Sequence, residues 1–481
     1  MGQEINRIQF TPEDFRAFEE RLVRESELLR QALAAGRFSE SGYTGGFELE
    51  SWLVDHNYFP APINEPYLAR LNDPLVVPEL SKFNVELNGT PQSLAGNALS
   101  RMEAELTRTW QRCLDVAHQL DASLVMIGIL PTISESQLVM KNVSPLNRYY
   151  ALNEQVLQHR AGQPIRIRIN GREQLDIVHH DVMLEAATTS FQVHLQTPAR
   201  EALRYYNSSI ILSAPMVAAC ANSPFLFGKD LWDETRIPLF EQAVDLGGFH
   251  GLDDPERRVT FGSGYLSDSP YECFEENLRR YPVLLPIRFD TPPEAFAHVR
   301  LHNGTIWRWN RMLIGSDEGG APHLRIEHRV IPSGPSIADQ IANAALYFGL
   351  VHFYAKLNPG HSQPPEERMT FATARSNFYA AARHSLAAPF TWLDDVRTDA
   401  RSLLLDELIP QAMFGLKQLG IAPDEAEHYL GIVRARVATG QTGSAWQRAY
   451  AEQTGRDFLL LSAAYLREQR SGKPVHEWDL Q

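Results

Sequence analysis

Apolar and polar residues alternate over four stretches of the chain. In Gly45-Gly46-Phe47-Glu48-Leu49-Glu50-Ser51-Trp52-Leu53-Val54-Asp55, Phe47, Leu49, Ser51 and Leu53 share one face, and Glu48 and Glu50 share the other. Phe83, Val85 and Leu87 oppose Asn84, Glu86 and Asn88; Phe191, Val193 and Leu195 oppose Gln192, His194 and Gln196. Leu324, Ile326 and Val330 oppose Arg325, Glu327 and Arg329, with His328 on the apolar side. A period of two is that of a strand with one buried face. It predicts strands over Glu48 to Asp55, Lys82 to Asn88, Thr189 to Gln196 and His323 to Ile331, in a half-solvated antiparallel sheet. Ser123 to Leu130 reads as a fully buried strand, and Thr305 to Asn310 as another.

Helical periodicity fills much of the rest. Thr11-Pro12-Glu13-Asp14 supplies a capping threonine, a proline in the first turn and acids at the positive end of a helix running to about Ala35. Further helices are expected over Ala98 to Leu120, Pro198 to Ala221 and Ile337 to Tyr354, and from Met369 to Arg470 the pattern is helical throughout. Residues 131–180 and 244–272 carry many turn residues and read as loop or lid regions. Asn358 to Glu367, with three prolines, reads as a linker. The organisation expected is an N-terminal helix (1–38), a central catalytic domain (39–356) and a C-terminal helical region (357–481).

Charge and cysteine content narrow the classes. With 45 basic and 59 acidic residues the formal net charge is −14, which argues against a general nucleic-acid binder. Cys113, Cys220 and Cys273 are too few and too widely spaced for a disulfide framework or a CxxC metal site, and read as buried reduced thiols. Met1 to Phe10 has no apolar core, so no signal peptide is expected. Ile210 to Phe227 is broken by Pro215, Asn222 and Pro224 and reads as a buried helix and its exit, with no membrane span. A cytoplasmic location and small-molecule partners, with no nucleic acid and no membrane, are therefore expected. The helical tail would either mediate a homo-oligomer or cover the sheet.

The polar faces carry the candidate chemistry. Solvated faces usually hold Thr, Lys, Ser and mixed charge; these hold Glu-Glu, Asn-Glu-Asn, Gln-His-Gln and Arg-Glu-Arg. Adjacent carboxylates on one face repel unless a cation lies between them. Carboxylates with a single histidine suit hard divalent ions such as Mg²⁺ or Mn²⁺, whereas zinc prefers more His or Cys. Arginines beside a carboxylate suit a site holding metal and phosphate together. No HExxH, GxxxxGK[ST] or GxSxG motif occurs. His179-His180-Asp181 falls in a loop-like segment without a partner at ligand spacing, Trp307 and Trp309 read as core, and His250, His298 and His302 have no recognisable context.

Taken in order, these blocks resemble glutamate–cysteine ligase family 2, the carboxylate–amine ligases related in fold to glutamine synthetase. The resemblance rests on Gly46 to Glu50, Glu79 through Glu86-Leu87-Asn88, Ser190 to His194, Ala221-Asn222-Ser223-Pro224-Phe225 with Arg236 downstream, and Arg325 to Arg329. Asn377 to Leu386 in the tail is also similar. It implies an α+β fold: a curved, largely antiparallel sheet with a ligand-binding concave face, helices on the other face and a C-terminal helical region. By analogy Glu48, Glu50, Glu79, Glu86, His194 and Glu327 would ligate Mg²⁺ or Mn²⁺. Arg325 and Arg329 would bind ATP, Glu327 and Arg329 would act in catalysis, and Asn222 and Arg236 would bind substrate. Glu79 and Arg236 rest on the resemblance alone. Related ligases often have Asp where Glu79 stands, and Val330 to Ser336 matches none of the family's well-characterised members.

The implied reaction joins a carboxylate to an amine through an acyl phosphate, with glutamate as acid and cysteine as a candidate amine. Two alternatives use the same residues: an ATP-dependent kinase of a carboxylate or guanidino group, and a metal-dependent hydrolase, which would turn over without ATP. A non-catalytic binding protein on the same scaffold is a further alternative, which the intact Glu48, Glu50, His194 and Glu327 argue against.

Overall fold

A computed structural model describes residues 4–247, 257–357 and 363–480. Its centre is an eight-stranded sheet. The path runs Asn310–Ser316, Pro322–Pro332, Ser190–Thr197, Thr44–Asp55, Asn84–Asn88 and Val76–Pro78, each strand antiparallel to its neighbour. Two short strands complete it on Thr44–Asp55: Gln92–Ser93 beside its start and Ala122–Val125 beside its end. The predicted α+β architecture, with a curved antiparallel sheet and a helical C-terminal region, is what the chain adopts.

Alternation explains which face is covered. Phe47, Leu49, Leu53, Val85, Leu87, Phe191, Val193, Leu195, Leu324 and Ile326 are all buried. The helices Ala98–His118, Ala202–Cys220 and Ile337–Ala355 pack with this side of the sheet and with one another. Gly45 lets them approach: a Cβ there would lie 2.7 Å from both Leu94 and Phe348. The covering helix Ile337–Ala355 is itself covered by the tail helix Ile409–Leu419, backbone against backbone at Gly349 and Gly415, where a Cβ on either would collide with the other chain segment.

The N-terminal helix Pro12–Ala34 starts in a full capping box between Thr11 and Asp14, as its sequence predicts. It packs on the helices Tyr271–Arg280 and Ala297–Gly304. Glu25 is the pin: its carboxylate accepts from the backbone N–H of His298 (2.8 Å) and Val299 (3.2 Å) and meets His298 Nδ1 at 2.6 Å.

Four expectations are corrected. Residues 131–180 are largely regular, with a helix Asn147–His159 and a hairpin Ile165–Asn170/Gln174–His179. The helix hides its period by burying Arg148 and Gln155, and the hairpin alternates in a strand too short to stand out, with Ile165, Ile167 and Ile169 buried. The buried strand ends at Val125, because Met126 and Ile127 turn their carbonyls to side chains: Met126 O accepts from Tyr465 and Gln469, and Ile127 O from Trp52. The expected strand at 305–310 divides: Trp307–Arg308 pairs in parallel with Val259–Thr260, and Asn310 opens the sheet's edge strand. The helical tail is interrupted by a small hairpin, Pro389–Thr391 with Arg397–Asp399. Parts of the second loop region (248–256), His250 among them, and of the expected linker (358–362) lie outside the described residues. All three cysteines are buried and free. Among the described residues no helix is long and apolar enough to cross a membrane.

Candidate active site

Sheet order brings the polar faces together. Glu50 stands directly opposite Glu86, Glu48 opposite Gln192, and His194 opposite Glu327, while Arg311 on the edge strand stands opposite Glu327 from the other side. Glu48, Glu50, Glu86, Gln192, Arg311 and Glu327, with Glu79 just past Val76–Pro78, line a cavity of about 310 Å³, and His194 stands beside them on the sheet. The cavity's roof comes from outside the sheet: Arg148 and Tyr149 on the helix Asn147–His159, Glu185 on the short 3₁₀ helix Val182–Ala187, and Arg300 on the helix Ala297–Gly304.

Six of the residues singled out in the sequence fall into two sets of three. One donor atom from each of Glu48, His194 and Glu327 lies within 4.8 Å of the others, and the same holds for Glu50, Glu79 and Glu86. Oxygen and nitrogen donors about 2.0–2.6 Å from one ion are no more than about 5 Å apart, so each set is compact enough to hold a divalent cation. The donors are mostly carboxylate oxygens, which suits Mg²⁺ or Mn²⁺. Buried Glu86 Oε1 has no hydrogen-bond partner, and His194 Nε2 has only the Glu48 carboxylate at 3.4 Å and that of Glu327 at 3.9 Å. A buried polar atom without a partner is costly, and an ion would supply one.

The two sets differ in their electrostatics. Burial alone would raise the Glu327 carboxyl, but Arg311 and Arg329 hold it down to about 2. Arg311 grips it with two 2.8 Å hydrogen bonds, and Arg329 Nη1 adds one of 3.0 Å. Burial likewise opposes ionisation of Glu48, but positive neighbours, His194 foremost and Arg329 among them, hold this carboxyl well below its usual range. In the other set burial and Glu79 push Glu50 up to about 7, although the Ser190 N–H and the Gln192 amide donate to it. Burial, Glu48 and Glu79 push Glu86 well above its usual range, and burial with Glu79 and Glu50 does the same to Glu185.

Arg325 and Arg329 line the cavity, but Asn222 and Arg236 do not. Arg236 bonds Glu234 (3.1 Å) and the carbonyls of Arg329 (3.3 Å) and Val330 (2.6 Å), bracing the strand behind Arg329. Asn222 bonds the Ser333 carbonyl, Tyr465 and Gln447. Both spend their polar groups on partners inside the protein, next to the strand that carries Arg329. His179 and Asp181 form a local pair in which Asp181 also caps the following turn. Trp309 is core, as expected, whereas Trp307 lines the cavity.

Arg311 escaped the sequence reading because the strand was ended at Asn310 and the alternation puts it on the side of Trp307 and Trp309, which read as core. Arg148, Tyr149, Glu185 and Arg300 carry no local signal at all.

The family model for glutamate–cysteine ligase family 2 matches residues 44–462. The chain belongs to that family. Among solved structures it is similar to the glutamate–cysteine ligase from Francisella tularensis in complex with AMP, at 12% identity and TM-score 0.56, covering 92% of this chain and 91% of that one. A bifunctional glutathione synthetase from Pasteurella multocida is also similar, at 12% identity and TM-score 0.47, over 92% of this chain and 54% of that one; the chain thus spans about half of it. No curated protein matches the sequence. The likeness to the Francisella enzyme is one of fold, and with the family match it makes this chain a member of a ligase family.

Proposed function

We propose that the protein is an ATP-dependent carbon–nitrogen ligase that joins a carboxylate to an amine, with glutamate as the acid and cysteine as a candidate amine. The observation that carries the reading is the pair of carboxylate sets, Glu48/His194/Glu327 and Glu50/Glu79/Glu86, side by side on one sheet face with Arg325 and Arg329 among them. Family membership supports the reaction class.

The acid's carboxylate attacks the γ-phosphorus of ATP, breaking the bond to ADP and forming an acyl phosphate. The amine then attacks the acyl carbon, phosphate leaves, and the nitrogen's proton is lost. Mg²⁺ or Mn²⁺ held by the two sets would neutralise the phosphate oxygens and screen one anion from another. The protein's own part is positioning and charge. Arg329 has an enclosed Nε without a hydrogen-bond partner and serves the charge on the transferring group. Arg311 keeps Glu327 ionised and oriented. The acidic end, with Glu50 and Glu185, suits an incoming ammonium group. No protein nucleophile is required.

The test is ADP and phosphate release with Mg-ATP across a panel of acids and amines, comparing the wild type with Glu327→Gln. Amine-dependent ADP release that falls by about 10²–10³-fold in the variant is expected. Equal turnover by the two proteins would overturn the assignment of Glu327, and ADP release that needs no amine would point to the kinase.

A further inference from the structure

Two guanidinium groups in the cavity are uncommitted. Arg311 and Arg329 both bond Glu327, but the side chains of Arg300 and Arg325, among the described residues, have no hydrogen bond or ion pair. Arg325 Nε is enclosed and has no partner. The Arg325 side chain lies across Gly315 on the neighbouring strand, where a Cβ would come within 2.8 Å of its Nη1, so the glycine keeps its path into the cavity clear. Arg300, Arg311 and Arg325 all line the cavity; burial makes Arg325 less basic than a free guanidinium, with Glu48 and Glu327 opposing that and Arg300 and Arg311 adding to it. The three arginines stay protonated, and such a lining is stabilised by an anion with several oxygens.

The surroundings favour one such anion. Arg325 projects from the same strand face as Glu327, on the side of the Glu48/His194/Glu327 set. The cavity that Arg300 and Arg325 line also has apolar lining, Phe274, Leu285, Leu301 and Trp307. An anionic chain joined to a flat apolar ring system fits both features, and a small amino-acid carboxylate fits only the first. Arg300 is carried by the helix Ala297–Gly304, whose first turn is bonded by Glu25, so that helix is held at a defined place.

We propose that Arg300 and Arg325 clamp the phosphate chain of the nucleotide, on the non-transferred side, with the base against the wall of Phe274, Leu285 and Trp307. The assignment rests on the ATP reading above and adds the residues that hold ATP apart from the metal sets.

The experiment is calorimetric binding of ADP, inorganic tripolyphosphate and adenosine in Mg²⁺, for wild type, Arg300→Ala, Arg325→Ala and Arg300→Lys, together with KM for the acid and melting temperature. Each alanine variant should lose about 10-fold or more in affinity for ADP and tripolyphosphate, since a charge-assisted contact is removed. Adenosine binding, the KM for the acid and the melting temperature should hold, and Arg300→Lys should recover part of the loss. Unchanged ADP and tripolyphosphate affinities in both alanine variants, with a wild type that binds and turns over ATP, would overturn the clamp and leave the ligase reading standing. A raised KM for the acid with intact nucleotide affinity would also overturn it, by assigning the pair to the substrate carboxylate. A folded wild type that binds neither nucleotide nor tripolyphosphate would overturn the ATP reading and the clamp with it.

Discussion

The two ends of the cavity are built on the same sheet face from the same residue type, yet they treat a buried carboxylate in opposite ways. At one end Glu327 is enclosed by Arg311 and Arg329 and stays ionised. At the other Glu50, Glu79, Glu86 and Glu185 crowd one another, and although Arg329 and Arg236 draw Glu50 down, burial and Glu79 prevail. Burial is common to both, so the sign of the effect is decided by neighbours. The first end keeps its carboxylates charged against arginines; at the second, burial and like charges favour the protonated carboxyls.

The contrast can be broken at either end. The largest effect is expected at the first. Glu327→Gln leaves two largely buried guanidinium groups without their counter-charge and should destabilise the fold by about 3–5 kcal/mol, read by denaturant unfolding. A loss within experimental error would mean that the arginines find other partners. Next comes the ion itself. Mg²⁺ at about 100-fold its dissociation constant should stabilise the wild type by about 2.7 kcal/mol, and chelation should lower the melting temperature without unfolding the chain. Complete unfolding in EDTA would instead make the sites structural.

A smaller effect, of opposite sign to the first, is expected at the acidic end. Glu50→Gln in metal-free protein at pH 8 should stabilise by about 1 kcal/mol, because it removes a charge that burial and Glu79 oppose. The same carboxyl sets the pH trend. Its folded value, raised to about 7 from an ordinary 4.5, makes its contribution to stability full below pH 4.5 and lost as the pH rises through 7. The metal-free melting temperature should therefore fall between pH 5 and pH 8 on this account, more steeply in the wild type than in Glu50→Gln. Parallel curves for the two proteins would remove Glu50 as the cause.

Much of the site was legible before the structure because alternation is local. Glu48 and Glu50, Glu86, His194, and the Arg325/Glu327/Arg329 run each declare a polar strand face within a handful of residues, and the cavity uses all of these faces. The same logic failed where the strand was cut short, at Arg311, and where a buried polar residue masked the period, as in the helix carrying Arg148. It was silent for Glu185, which sits in a short 3₁₀ helix, and for Arg300, whose place depends on Glu25 some 270 residues earlier.

What the sequence determines by itself is therefore the composition of each face: which strands are greasy on one side, and which side chains they turn to the other. Period-two geometry sets that without reference to the rest of the chain. Only the tertiary structure decides that Glu50 meets Glu86 and Glu79 while Glu327 meets Arg311 and Arg329. It also turns Arg236 and Asn222 inward to backbone carbonyls at 329–333. Strand order and roof helices are long-range pairings, and charge on a buried carboxylate depends on what lies within a few ångströms in space, wherever that lies in sequence.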